Sequence, residues 1–534
     1  MWAALALVHF LLLAALLAWV HEETRPVPMH DLQLASGEKL RCVSYAPFHR
    51  PGQTPFDAAL VIPRQQIMED LTALAKITDC VRIYAVDMGL EHTPAIAREL
   101  GLKVLLGTWI GYEQEKNALQ LERALALANE YPDTVRALIV GNEVLLRRER
   151  TANEMRALLT DARARSAVPV TYADVWEFWL KNGELADAVD FVTVHILPFW
   201  EDEPVDIGRA INHVAEVRAK VSARFPGKTI LLGETGWPGA GLQREEARPS
   251  RINQARYVRE FIHQAHAKGW DYNLIEAIDQ PWKRQLEGTV GGYWGMLDAD
   301  TLRAKFPLAG PVSERESIVA PLVGGGLGLL FAVALALAGR FQSFVQRRQQ
   351  WWQIAAVKCV GATTGVIAVL HAEHARLAYV SLTDRIALGV TALAALLVCA
   401  VLTRWNGEAL APADIAWNRI REEKQNARAA DVLAALRGFI LFAAAVASLL
   451  LLITPRYRDF PTLLYLTPAA IYGVIGWWRR GGFSRAERIC AVLIAAGALW
   501  RCLFEVNNPQ AVGWLLTSLA LALPVLARRR GPTL

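Results

Sequence analysis

Gly141-Asn142-Glu143-Val144 and Gly233-Glu234-Thr235-Gly236-Trp237-Pro238 decide the reading of this chain. Each follows a short run of branched apolar residues, Ala137-Leu138-Ile139-Val140 and Thr229-Ile230-Leu231-Leu232. Runs this short, bounded by Gly or Pro, read as buried strands of a parallel sheet. Each glutamate then stands at the carboxyl end of a strand. In a βα barrel that is the face on which active sites are built. Two carboxyl groups on one such face are the minimum equipment for cleaving a glycosidic bond.

Outward from these strings, apolar runs recur near 41–47, 80–85, 102–108, 136–142, 168–173, 189–197, 228–234 and 273–279. Between them lies helical spacing, as in Ile67-Leu71-Leu74, with Pro63 where a helix would start and Pro132 just past the end of another. Eight strands alternating with helices fit a (β/α)8 TIM barrel in count and size, over 36–312. Periodicity alone also allows a doubly wound sheet. The strand ends break the tie. Tyr45, Tyr84, Asp87, Trp109, Asn142, Glu143, Tyr172, His195, Trp200, Glu234, Trp237, Glu276, Asp279 and Trp282 all fall at or just past carboxyl ends. Polar and aromatic groups converging from every strand favour a closed ring around one site. Aromatic rings there suit sugar C–H faces, although any single one is equally a rim-packing residue.

The composition is split. Hydrophobic residues make up 53% of 534, too many for a barrel alone. Residues 2–20 are an almost unbroken apolar run. Seven more follow, near 317–338, 354–371, 386–403, 432–454, 461–478, 489–503 and 511–527. The expected architecture is therefore a 1–20 anchor, the barrel, and an all-α transmembrane region over 317–534. The first run lacks a clear cleavage site, which favours an uncleaved anchor over a removed signal peptide. Residues 21–316 hold 35 Lys+Arg against 42 Asp+Glu, so the net +5 of the chain comes from its tail. An acidic soluble part excludes a nucleic-acid partner. The basic loops carry Arg340, Arg347 and Arg348; Arg404, Arg419, Arg421, Lys424 and Arg428; Arg479, Arg480, Arg485 and Arg488; and Arg528 to Arg530. The loops between are poorer in charge. The positive-inside rule then places the basic set in the cytoplasm and 21–316 outside an inner (plasma) membrane. Lys358 and Arg437 lie in expected spans near the cytoplasmic end, where long side chains snorkel.

Five strings together resemble glycoside hydrolase family 17: Cys42-Val-Ser-Tyr-Ala46, Val81-Arg-Ile-Tyr84, Gly141-Asn-Glu-Val144, Gly233-Glu-Thr-Gly-Trp-Pro238 and Asp279-Gln-Pro-Trp-Lys283. The family comprises retaining β-1,3-glucanases and glucanosyltransferases on a (β/α)8 barrel. The resemblance implies Glu143 as acid/base, Glu234 as nucleophile and Asn142 on the sugar 2-hydroxyl. Tyr45, Tyr84, Tyr172, Trp200, Trp237, Glu276, Trp282 and Lys283 complete the expected substrate site, with Trp200, Trp237 and Trp282 as acceptor platforms. The implied partners are a β-glucan, membrane lipid, and other glucan synthesis or export proteins. The hydrophobic tail is similar to that of bacterial membrane-anchored β-glucan synthesis proteins. There are departures. Gln280 stands where plant members carry Glu, and His195-Ile-Leu-Pro-Phe-Trp200 replaces a compact Tyr-Pro-Phe string.

The residues themselves suggest further expectations. Glu143 should be held protonated near neutrality by the charge of Glu234. Arg82 points into the barrel by alternation, to pair with a catalytic carboxylate or to balance buried acids. His195 reads as a packed rim residue more than a catalyst. Cys42 and Cys80 begin neighbouring strands, so a disulfide is open to them in an oxidising compartment, yet a domain of this size needs no staple and free thiols are the favoured expectation. No CxxC or metal-ligand spacing appears, and the reading calls for no cofactor or metal. Three functions compete: a transglycosylase or endo-glucanase, a silent glucan-binding module, and a nucleotide-sugar synthase. The intact glutamates argue against the second. The third fails because the largest inner loop is under about 30 residues, too short for a nucleotide-binding domain.

Overall fold

The computed structural model describes all residues except 33, 35–37, 340–346, 424–426, 480 and 529–534. The charges expected at Arg340, Lys424, Arg480, Arg529 and Arg530, and the bounds at 36 and 534, lie outside the described residues. The chain divides into two compact units. One is Val27–Gly241 with Glu246–Val312; the other is Met1–Pro26, Leu242–Glu245 and Ser313–Leu534.

The first unit is a closed barrel of eight parallel strands in sequence order. They are β1 (Val43–Ser44), β2 (Cys80–Ile83), β3 (Lys103–Thr108), β4 (Val135–Asn142), β5 (Val170–Val175), β6 (Val192–His195), β7 (Ile230–Thr235) and β8 (Asp271–Leu274). The eighth is shorter and earlier than the apolar run suggested, because the chain leaves the ladder at Ile275. The helices between carry their apolar stripes onto the strands. Ile67, Leu71 and Leu74 are all buried on helix Arg64–Leu74, which Pro63 opens. Helix Ala152–Arg165 starts with a capping box, Thr151 on the Glu154 amide and Glu154 back on Thr151.

Cys42 and Cys80 form a disulfide, with Cα atoms 4.3 Å apart, which corrects the expectation of free thiols. The register explains it. Val43 pairs with Val81, so the preceding residues lie side by side.

The second unit is helical. Among the described residues, six helices are long and apolar enough to cross a membrane: Trp2–Glu23, Val319–Ala338, Trp351–Ala378, Leu382–Leu402, Ala429–Ile453 and Pro509–Leu526. The other two expected spans form helices Thr462–Trp478 and Arg485–Phe504. The first has only 17 residues, and the second carries Arg485, Glu487, Arg488 and Arg501. Leu16 and Val20 of the first helix pack with Val366, Ile367 and Leu370. Helices Val319–Gly339 and Arg347–Ala378 meet through Gly324, Gly328, Gly361 and Gly365. A Cβ at any of these four would run into the facing backbone. Two facing small-xxx-small stripes are the expected means of close helix contact in lipid.

Arg437 does not snorkel. It is buried, with Nε donating to Glu487 Oε1 at 2.7 Å and Nη2 to the carbonyls of Ala411 and Gly482 at 2.9 and 3.0 Å. A buried carboxylate holds the guanidinium in place, and that partner lies 50 residues away in sequence.

Candidate active site

The site lies at the carboxyl end of the barrel. Glu143 follows β4 directly and Glu234 lies within β7. Glu143 adopts a left-handed backbone conformation, φ +52°, which is uncommon for a residue with a Cβ and typical of functional positions. A register shift between Ile139 and Asn142 accompanies it. Across the barrel, β6 slips against β7 between Val194 and His195, so that His195 pairs with Glu234.

That slip sets the imidazole between the two carboxyl groups. His195 Nδ1 lies 3.0 Å from Glu143 Oε1, and Nε2 lies 3.6 Å from Glu234 Oε1. Gly233 makes room for the ring: a Cβ there would stand 3.1 Å from His195 Cδ2 and 2.5 Å from Thr193 Cγ2. One oxygen of Glu143, one of Glu234 and a nitrogen of His195 all lie within 4.8 Å of one another. Retaining glycosidases hold their carboxyls about 5–5.5 Å apart and inverting ones about 6.5–9.5 Å. This pair falls on the retaining side.

Arg82, only 1% exposed, ties the group together. Its Nη1 donates to Glu234 Oε1 at 3.3 Å and to the Gly233 carbonyl at 2.8 Å, and also meets His195 Nε2 at 3.3 Å. Its Nη2 donates to Asn142 Oδ1 at 2.5 Å. Tyr84 donates its hydroxyl to Glu234 Oε1 at 2.9 Å and meets Ser44 Oγ at 2.8 Å. Asn273 donates to Ser44 Oγ and to the Gly233 carbonyl, both at 2.7 Å. Glu234 is thus held from two sides. Glu143, His195 and Glu234 also carry one metal-ligand donor each. The Arg82 guanidinium already bonds Glu234 and meets His195, so it supplies the positive charge a cation would bring.

The electrostatics correct one expectation. Burial pushes the Glu143 carboxyl up. The hydrogen bond and positive charge that His195, Arg147 and Arg82 bring outweigh it, and the group sits below the ordinary carboxylate range. A general acid must be protonated, and a lowered group loses its proton earlier as pH rises. Activity that depends on acid Glu143 therefore falls at a lower pH than an unperturbed glutamic acid would set. His195→Leu removes the largest of the lowering influences on Glu143, so the basic limb of kcat/KM moves to higher pH. His195→Asn, which keeps a donor, moves it less. A basic limb that stays in place in both variants would refute the coupling.

The other expected residues spread over two layers. Glu276 is buried and paired with Lys283 at 3.1 and 3.2 Å, and burial pushes its carboxyl up to about 7 against the pull of that lysine. Trp282 is half-buried, donates to Gln280 Oε1 at 2.8 Å and meets Phe56 edge-on at 5.6 Å. Trp200 stacks on Trp294 at 6.2 Å. Tyr45 and Tyr172 are buried, their hydroxyls on Asp70 and Asp174. Burial raises Asp174 to about 6. Trp237 is 1% exposed, stacked on Tyr257, with its indole donating to the Arg248 carbonyl at 3.0 Å. No face of it is open to a sugar in this conformation.

Residues 42–295 match the family described as BtgE/BtgC glycoside hydrolase domain. Among curated proteins, the chain is 27% identical to "Glucan 1,3-beta-glucosidase" of Saccharomyces cerevisiae, covering 44% of this chain and 82% of that one. It is 26% identical to "Probable beta-glucosidase btgE" of Aspergillus clavatus, covering 48% and 45%. Among solved structures, a glycoside hydrolase family 17 β-1,3-glucanosyltransferase from Rhizomucor miehei aligns at TM-score 0.44 and 22% identity, over 50% of this chain and 97% of that one. Over residues 42–295, which hold the barrel, this chain is therefore similar to glycoside hydrolase domains of the BtgE/BtgC kind.

Proposed function

We propose that the barrel cleaves a β-1,3-glucan with retention and passes the glycosyl unit to a second glucan. One observation carries the retaining chemistry: two carboxyl groups from opposite sides of the barrel, with oxygens within 4.8 Å and bridged by one histidine. The β-1,3 linkage is suggested by the named activities of the relatives. Glu234 attacks the anomeric carbon while Glu143 protonates the leaving oxygen, giving a covalent glycosyl-enzyme. Glu143 then takes the proton from the incoming hydroxyl. Arg82 and Tyr84 hold Glu234, and Asn142, held by Arg82, would meet the 2-hydroxyl of the donor sugar.

The intermediate partitions between water and a sugar hydroxyl. Water is about 55 M, and oriented groups reach effective molarities of about 10⁵ M or more, so a seated acceptor outcompetes it. Mass spectrometry of products from millimolar laminari-oligosaccharide should show oligosaccharides longer than the substrate. Only shorter fragments at every concentration would leave a membrane-tethered endo-β-1,3-glucanase.

The loop charges support a multi-pass protein of the inner membrane with its catalytic domain outside the cytoplasm. The Cys42–Cys80 disulfide supports the same side, since such bonds persist in oxidising compartments. A phosphatase reporter fused near 316 should be active and one fused at Leu534 inactive. The reverse pattern would overturn the orientation. Membrane lipid and other glucan synthesis or export proteins are the partners this placement would offer.

A further inference from the structure

An aromatic surface beside Glu143 takes no part in the chemistry above. Trp109 follows β3 directly and is 40% exposed. The Arg147 guanidinium lies over its ring at 4.3 Å. Tyr112, three residues on, is 69% exposed, and its hydroxyl reaches the Arg147 carbonyl at 3.4 Å. The loop that carries both rings is pinned. Asn117 bonds the amide and carbonyl of Gly111 at 2.8 and 2.7 Å, and Arg150 bonds the carbonyls of Gly111 and Tyr112 at 3.1 and 2.7 Å. Ring positions held this way lose little freedom on binding.

We propose that Trp109, Arg147 and Tyr112 form a stacking platform for a glucose ring of a β-1,3-glucan, on the leaving-group and acceptor side of Glu143. The inference rests on the reading of the chain as a glucan-active retaining enzyme. Three observations carry it. Arg147 lies in the segment that follows β4 and acts electrostatically on Glu143. A general acid faces the leaving oxygen, so the sugar beyond it is the leaving group and later the acceptor. Finally, Arg147 is not a free cation: its Nε and Nη2 both bond Glu149 Oε2, at 3.0 and 2.8 Å. A platform whose charge is internally matched suits a neutral carbohydrate and not an anion. Arg147 covers one face of the indole, and a sugar C–H face would stack against the exposed remainder.

The test uses the full chain carrying Glu234→Gln, which binds without turnover, and laminarihexaose as probe. Trp109→Ala and Tyr112→Ala should each weaken binding by calorimetry, about fivefold to tenfold for Trp109, and Trp109→Phe should recover most of the loss. With Glu234 restored, Trp109→Ala should lower the ratio of transfer to hydrolysis by a similar factor. Tyr112 is so exposed that its replacement cannot disturb the fold. Unchanged hexaose binding in both alanine variants, while the wild type still cleaves the hexaose, would overturn the platform and leave the enzyme reading standing. A wild type that neither cleaves nor binds laminarihexaose would overturn both.

Discussion

Glu234→Gln and Glu143→Gln each remove turnover on β-1,3-glucan, by about 10⁴-fold or more if each is as indispensable as the members of other covalent catalytic sets. The two losses differ in kind. Without Glu234 no glycosyl-enzyme forms, and no added anion resupplies a nucleophile held by Arg82 and Tyr84 in the same geometry. Without Glu143, a substrate with a good leaving group still glycosylates Glu234, and the intermediate then waits for an acceptor. Azide needs no general base. Glu143→Ala with azide should therefore yield a β-glycosyl azide, whose configuration reports that Glu234 attacked from the opposite face. Substantial residual activity in the Glu234 variant would remove it as nucleophile, and an α-azide would remove the retaining mechanism.

The two glutamates were legible because a strand-end carboxylate after a branched apolar run has few structural uses. The eight-strand count was legible for the same reason, since each run is bounded by polar or breaking residues. What remained hidden depends on register. His195 reads as an ordinary rim residue until the slip between Val194 and His195 brings it opposite Glu234. Cys42 and Cys80 could be placed on neighbouring strands, but only the register, with Val43 beside Val81, sets them side by side. Trp237 shares its string with Glu234, yet the chain turns it inward to the Arg248 carbonyl. Trp109 was visible as a strand-end aromatic, but neither the open part of its ring nor the arginine stacked on it can be read from spacing. The state of Glu143 was misjudged from its partner Glu234 alone. The lowering comes from His195, Arg147 and Arg82, which converge from three separate stretches of chain.

Arg82→Leu should be the most destabilising single change in the barrel. The guanidinium is 1% exposed and Glu234 is buried beside it. Burying an ion pair gains little over an apolar pair, but removing one member leaves the other charge without its partner, at about 3–5 kcal/mol. For a domain of this size that lowers Tm by about 6–20 °C. The loss also takes the Arg82 donor from the Asn142 amide oxygen and leaves the Gly233 carbonyl with Asn273 alone of its two side-chain donors. Arg82→Lys keeps the charge but cannot reach Glu234, Gly233 and Asn142 at once, because an ammonium is a point and not a fork. It should fall between wild type and Leu in stability, with turnover still reduced. The decisive comparison is a double-mutant cycle with Glu234→Gln, read by thermal unfolding of the full chain in detergent. Once the carboxylate charge is gone, Arg82→Leu no longer strands it, so the double variant should be more stable than the sum of the single losses predicts. Strict additivity would mean that Arg82 fills space and does not hold Glu234, and the account of how the nucleophile is positioned would fail with it.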